Sequence, residues 1–215
     1  MRFPNAYKGI KKMFLGGIMM AAAVGLTVVL AVMMMAVGAG TDADMAALTR
    51  DKALTAGMLS LGLVLAVVLG LVGLILDFVG VIHAKKDDSH FSAALYTALL
   101  GIVISFIVSF LAKNDPEIRR WLSLGGTVCG ILTRVFVLSG IASLAAKMAD
   151  GKIKAMAEKA RAIICAVSIG SAAAMLIAAY LPDAGPLQFV GYGLSIGSVV
   201  YYLTVLLKAR KMLAG

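Results

Sequence analysis

Residues 53–84 read ALTAGMLSLGLVLAVVLGLVGLILDFVGVIHA, and this stretch decides the fold. A transmembrane helix needs about 20 consecutive apolar residues, and here only Asp77 is a charged residue. Residues 121–146, WLSLGGTVCGILTRVFVLSGIASLAA, repeat the arrangement with Arg134 as the charge. An ionisable side chain within a span is expensive and usually faces the protein interior, often beside a partner charge. Asp77 and Arg134 are therefore the candidate ion-pair or substrate residues.

The composition indicates that lipid rather than water surrounds most of the chain. Its 215 residues are 61% hydrophobic and 14% charged, with a mean hydropathy of +0.99. Soluble domains are nearer to about half apolar and about a quarter charged. The net charge of +9 comes from short basic clusters between apolar stretches, which is typical of the cytoplasmic loops of membrane proteins. No nucleic-acid-binding motif accompanies these clusters, so we expect no nucleic-acid partner.

Six apolar segments are long enough to span a bilayer. We predict an all-α, polytopic membrane protein: a compact bundle of six transmembrane helices with short loops, forming a single integral membrane domain over residues 1–215. The first segment exceeds the roughly 7–15 apolar residues of a signal peptide, so we predict an uncleaved anchor. The predicted spans are approximately 13–40, 55–83, 91–112, 121–146, 162–182 and 187–207.

The basic residues predict an orientation for this bundle. With six spans, the termini and loops on one side hold fourteen Lys and Arg residues, and the loops on the other side hold five. Cytoplasmic segments carry this excess, so both termini are predicted to be cytoplasmic in a plasma or inner membrane. The basic segment Lys147–Arg161 is predicted to be helical because Ile153, Met156, Ala157 and Ala160 share one face. It is either an extension of a neighbouring span or a surface helix that binds anionic headgroups of the bilayer.

Each of the two isolated charges shares a helix face with glycines. At helical spacing, Asp77 lies with Gly73 and Gly80, and Arg134 lies with Gly130. Glycine lets membrane helices approach closely, so both charges are predicted to point at neighbouring helices. A functional site for a solute or proton, and a structural pair that fixes helix register, both stay open.

Small polar residues also recur at helical spacing along the third and sixth spans. Such stripes are typical of helix packing with interhelical hydrogen bonds. A path for a polar solute would use the same residues. The residues of these polar faces are Thr97, Ser105 and Ser109 on the third span, and Ser195, Ser198 and Tyr202 on the sixth.

The sequence offers little for catalysis or metal binding. Gly193-Leu194-Ser195-Ile196-Gly197 matches GxSxG, but a nucleophile elbow requires a strand–turn–helix setting. His83 and His90 lie at the ends of other spans, and there is no HExxH motif or P-loop. We therefore predict a protein that is not an enzyme and has no cofactor or metal.

Two functions remain. The first is a small transport-type protein, or a membrane subunit of a transporter, that binds a small solute near Asp77 and Arg134. In size, span number and topology the chain resembles the membrane S-components of energy-coupling-factor vitamin transporters, and Ala21-xxx-Gly25 approaches their docking motif of small residues spaced by four. That resemblance implies a substrate pocket and a membrane-protein partner. The alternative is a non-catalytic structural or assembly protein with a membrane-protein partner or a second copy of itself.

Overall fold

The computed structural model describes residues 2–36, 50–110, 116–180 and 185–214, which form six α-helices and no strand. The predicted all-α class is confirmed. The helices are α1 (Pro4–Ala36), α2 (Arg50–Ala84), α3 (His90–Phe110), α4 (Pro116–Lys147), α5 (Gly151–Tyr180) and α6 (Gly185–Ala214).

Four helices contain a described segment that is long and apolar enough to cross a membrane. No such segment is found in the described parts of α5 and α6. The helices are thus compatible with a membrane protein, while the six-span count and the sidedness of the termini stay predictions. The four segments are Pro4–Leu30, Gly57–Ala84, His90–Val108 and Trp121–Lys147.

All six helices begin before the spans predicted from hydropathy, by one to eleven residues. The first begins at Pro4, and the fifth begins at Gly151. Hydropathy marks the part of a helix that fits hydrocarbon, whereas the hydrogen-bonded helix continues into the polar interface. The predicted span ends at residues 37–40, 111–112 and 181–182 lie outside the described residues.

A short turn joins α4 to α5. Ala149 adopts a left-handed φ of 59°, and its N–H and that of Asp150 donate to the carbonyls of Ala146 and Ala145, at 3.1 and 2.9 Å. This is a Schellman ending, which satisfies carbonyls left free by the last turn of a helix. Asp150 then accepts a hydrogen bond from the Ile153 N–H at 3.0 Å. The same residue therefore closes α4 and caps α5.

The helical prediction for Lys147–Arg161 is confirmed from the start of α5 onward. Ala157 and Ala160 are fully buried, and Ile153 and Met156 pack against the core. The face that the spacing predicted to be apolar is therefore the face that packs. Residues 151–161 of the basic segment are the first part of α5 rather than a separate helix, and Lys147 ends α4.

The chain divides into two compact units: a smaller unit, Leu15–Asp77, and a larger unit of Met1–Phe14 with Phe78–Gly215. The predicted single domain stays a prediction.

In the larger unit, the core forms where one end of each helix packs against the ends of the others. Its buried members come from the starts of α1, α3 and α5 and from the ends of α2, α4 and α6: Ile10, Ala84, Phe91, Leu144, Ala157 and Leu213.

Away from this core, the larger unit exposes large apolar side chains. Phe106 on α3 is 61% exposed, and Trp121 on α4 is 70% exposed. In the smaller unit Val64 and Leu71 are likewise exposed. Contiguous apolar exposure marks a surface that contacts protein or lipid, and helices of this length and composition suit lipid.

Glycines set the distance between α1 and α2 in each unit. In the smaller unit, a Cβ added at Gly16 would lie 2.5 Å from the Gly73 carbonyl oxygen. In the larger unit, a Cβ added at Gly9 would lie 2.5 Å from the Gly80 carbonyl oxygen. At these two points only glycine allows the two backbones to approach so closely. Small residues permit the same close approach between helices of membrane proteins.

We predict that Gly80→Ala destabilises the protein. The new methyl group would lie 2.6 Å from Met13 Cγ and 2.7 Å from the Gly9 carbonyl oxygen, and overpacking of this kind costs about 1–3 kcal/mol. Gly70→Ala on the same helix is the matched control, because its Cβ would lie 3.8 Å from Ala23 Cβ. Thermal unfolding in detergent should show a lower midpoint for Gly80→Ala and an unchanged or higher one for Gly70→Ala. Equal midpoints for the two variants would contradict the glycine contact.

Candidate functional site

Two consecutive aspartates in the loop between α2 and α3 make hydrogen bonds that connect α1, α3 and α4. They lie at the end of the larger unit where the basic residues gather, which we call its basic end. The carboxylate of Asp87 accepts hydrogen bonds from Asn5 Nδ2 at 3.0 Å and from the Ala6 N–H at 2.7 Å. Helix α1 begins at Pro4, and Phe3 before it has no side-chain acceptor for the free N–H groups of the first turn. Asp87 therefore caps α1 from a distant point in the chain.

Asp88 performs a second connecting role. One oxygen accepts from the backbone N–H of His90 at 3.0 Å and lies 2.8 Å from its ring Nδ1. The other accepts from Ser143 Oγ at 2.6 Å and from Lys147 Nζ at 2.8 Å. Asp88 thus caps the start of α3 and ties it to the last turns of α4.

The environment of Asp88 keeps its carboxyl group ionised. Its side chain is only 3% exposed, and this burial by itself raises the pKa. Hydrogen bonds from Lys147, Ser143 and His90 outweigh burial and lower the pKa from 3.8 to about 2. Asp88 is therefore a permanent anion near neutral pH, suited to holding positive charge and not to transferring protons.

The sequence prediction missed both aspartates, although one signal was present. Asp88 precedes the buried Phe91 by three residues, which is the spacing of an N-cap before an apolar helix. The partners of the carboxylate on α4, Ser143 and Lys147, lie 55 and 59 residues away in the sequence, and no local pattern reveals them.

A cationic cleft lies between the start of α5 and the end of α6, with a volume of about 620 Å³. Lys152 and Lys159 line it from α5, and Lys208 lines it from α6. All three lysines are exposed. Their ammonium groups make this cleft a candidate site for an anion.

The interior of the cleft is apolar apart from one carboxylate. Ile153, Met156 and Tyr201 line it and are half-buried against the core. The carboxylate is that of Asp150, of which Oδ1 accepts the N–H of Ile153. The cleft therefore combines a cationic rim with an apolar floor.

The structure places Asp77 and Arg134 in different units. Asp77 is half-buried on α2, and a Cβ added at Gly16 of α1 would lie 2.9 Å from its backbone nitrogen. The glycine face that Asp77 shares therefore packs on α1. Arg134 is half-buried on α4 and makes no hydrogen bond or ion pair to a described residue of its own unit. The predicted pairing of the two charges stays a prediction.

The polar stripe of α3 contacts α4 through Thr97. Thr97 Oγ1 lies 3.0 Å from Thr133 Oγ1, and a Cβ added at Gly101 would lie 3.3 Å from Cys129 Cβ. Ser105 is exposed and donates to the carbonyl of Gly101 within its own helix. The side chain of Ser109 lies outside the described part of the chain.

The polar stripe of α6 meets α5 through Ser195. Its Oγ lies 2.7 Å from Ser171 Oγ, and Ser171 also donates to the Gly191 carbonyl at 2.8 Å. Ser198 donates to the Ser195 carbonyl, and Tyr202 is buried. These contacts are of the kind expected for helix packing. Ser195 lies inside the continuous helix α6, not in the strand–turn–helix setting that a nucleophile elbow requires.

Metal-ligating side chains are dispersed in the part of the chain that the structure describes. No group of three His, Cys, Asp or Glu residues is placed there to hold a metal ion. Of the features above, the cationic cleft has the composition of a ligand site, and the aspartate pair has that of a structural anchor.

We predict that Asp88→Asn destabilises the protein in a pH-dependent way. Asparagine still caps α3 but cannot hold the charge of Lys147, and loss of a buried charged hydrogen bond costs about 1–3 kcal/mol. Because the folded pKa lies below the ordinary value, the stabilisation is complete above pH 4 and is lost as the pH falls toward 2.

Thermal unfolding of both proteins in detergent between pH 7 and pH 2 checks this prediction. The difference between the two midpoints should be constant at neutral pH and narrow below about pH 4. Glu158→Gln, which removes an exposed carboxylate from α5, should show little difference at any pH. A gap between wild type and Asp88→Asn that persists unchanged to pH 2 would contradict the low pKa.

Comparison with known proteins gave no match: no family model, no curated protein and no solved structure matched this chain.

Proposed function

We propose that this protein is a non-catalytic integral membrane protein of transport type, or the membrane subunit of a transporter, that binds a small anionic solute. In this proposal six helices span a plasma or inner membrane and both termini are cytoplasmic. The observation that supports it most is the position of Arg134, which is a half-buried cation within an apolar helix.

The position of Arg134 requires a compensating anion. It lies thirteen residues before Lys147, and this corresponds to about 20 Å along the helix axis. A cation at such a depth costs several kcal/mol unless it is paired. Within its own unit, however, it makes no hydrogen bond to a described residue. A solute carboxylate or phosphate would satisfy the guanidinium through two parallel hydrogen bonds.

Core packing supports the proposed topology. The start of α1, the end of α2 and the end of α6 contribute Ile10, Ala84 and Leu213 to one core. Arg2 also donates to the Lys147 carbonyl at 3.4 Å. The basic segments assigned to the cytoplasm by their charge therefore lie together at one end of the larger unit, as an up-and-down bundle requires.

A structural or assembly role is the alternative, and the aspartate pair favours it. Asp87 and Asp88 join α1, α3 and α4 without leaving a reactive group free. In that role Arg134 and Asp77 would hold helices in register instead of binding a solute.

A ligand screen on the purified protein in detergent tests the proposal. We expect at least one small carboxylate or phosphate compound to raise the thermal midpoint of the wild type. Arg134→Gln should bind that compound at least about tenfold more weakly, because a charged hydrogen bond contributes about 1.5–3 kcal/mol. Arg119→Gln, an exposed site on the same helix, should bind as the wild type does.

Two results would favour the alternative. One is wild-type solute affinity in Arg134→Gln. The other is the recovery, in the double variant Asp77→Arg with Arg134→Asp, of stability that each single variant loses.

A further inference from the structure

The cleft between α5 and α6 has the two kinds of surface that a phospholipid presents, one anionic and one apolar. We propose that it binds the phosphate group of an anionic phospholipid at the cytoplasmic surface of the membrane. Lys152, Lys159 and Lys208 surround the phosphate, and the glycerol and first acyl carbons lie on the apolar floor. This inference is independent of the role proposed for Arg134.

The cationic rim is built by two helices. Lys152 and Lys159 are seven residues apart on α5, so they lie on the same face about two turns apart. Lys208 comes from α6, which packs against α5 through Ser171 and Ser195. Cations on both walls favour a bound anion over a mobile layer of counterions, since each lysine gains from the same phosphate.

One carboxylate lies in the cleft, and its position limits the repulsion it causes. Asp150 occupies the N-terminus of α5, and its Oδ1 accepts the Ile153 N–H at 3.0 Å. The capping hydrogen bond and the positive end of the helix dipole partly neutralise this carboxylate. Three lysines against one engaged aspartate leave the lining cationic.

The floor distinguishes a lipid from free phosphate. Ile153, Met156 and Tyr201, which form the floor, are half-buried. A hydrated phosphate ion gains no binding free energy from contact with these apolar side chains. A phospholipid buries part of its glycerol backbone and chains there, and aromatic residues such as Tyr201 are common at the level of the headgroups. The volume of about 620 Å³ lies within the usual range for small-molecule sites.

Lipid retention by the delipidated protein in detergent tests the proposal. Native mass spectrometry with added phosphatidylglycerol should detect one retained lipid, and phosphatidylcholine should not replace it. The triple variant Lys152→Gln, Lys159→Gln, Lys208→Gln should bind phosphatidylglycerol at least about tenfold more weakly. The matched control is Lys11→Gln, Lys154→Gln, Lys211→Gln, which removes the same charge from exposed lysines outside the cleft and should bind as the wild type does.

Other outcomes would overturn the proposal. Equal losses in the two triple variants would mean that the surface charge attracts lipid without a site. Competition by inorganic phosphate, beyond that of a chloride salt at equal ionic strength, would indicate a soluble phosphate ligand instead of a lipid. If the cleft triple variant does not fold, Lys208→Gln against Lys211→Gln makes the same comparison on one helix. Met156→Gln should weaken phosphatidylglycerol binding, and unchanged binding would exclude contact with the floor.

Discussion

The buried carboxylate of Asp88 is the interaction on which the rest of the larger unit depends. An ionised group with a side chain 3% exposed is strongly unfavourable unless hydrogen bonds replace its lost water. Here the backbone and ring of His90, the hydroxyl of Ser143 and the ammonium of Lys147 do so. These bonds fix where α3 begins relative to the end of α4. Because Phe91 follows three residues later, they also set its ring against Gly140, where an added Cβ would lie 2.6 Å from Phe91 Cε2.

The consequences extend along the chain from that point. Lys147 is the last residue of α4, and the Schellman turn at Ala149 reverses the chain directly into α5. The position of the cationic cleft therefore follows from how α4 ends, since Asp150 and Lys152 lie immediately after this turn. The hydrogen bonds of Asp88, which have a structural role, thus help to position the cleft in which we propose that a lipid phosphate binds.

Much of the fold could be predicted from the sequence, because lipid imposes simple rules on composition and length. The all-α class follows from apolar segments such as 53–84, and the spacing of Ala157 and Ala160 predicted the buried face of α5. The beginnings of helices were predicted less well, since α1 starts at Pro4 and includes Lys8, Lys11 and Lys12. Helix formation continues where hydropathy falls, so hydropathy alone does not mark those ends.

The candidate site was harder to predict, for a physical reason. The sequence drew attention to Asp77 and Arg134 because an isolated charge in an apolar helix is conspicuous. The aspartate network and the cationic cleft use ordinary charged residues near helix ends, and they arise only when distant segments meet, as Asp88 meets Lys147 and Lys159 meets Lys208. Thr97 and Ser195 were found by spacing, but only the structure identifies Thr133 and Ser171 as their partners.

The proposed topology is tested most directly by the accessibility of a single cysteine at the basic end of the larger unit. Cys129 and Cys165 are replaced by alanine, and Lys154→Cys, exposed on α5, supplies the only thiol. A membrane-impermeant maleimide should label this thiol in inside-out vesicles and leave it unlabelled in intact cells. Labelling in intact cells would contradict the proposed cytoplasmic position of this end, and recovery of the chain in the soluble fraction would contradict the proposed membrane location.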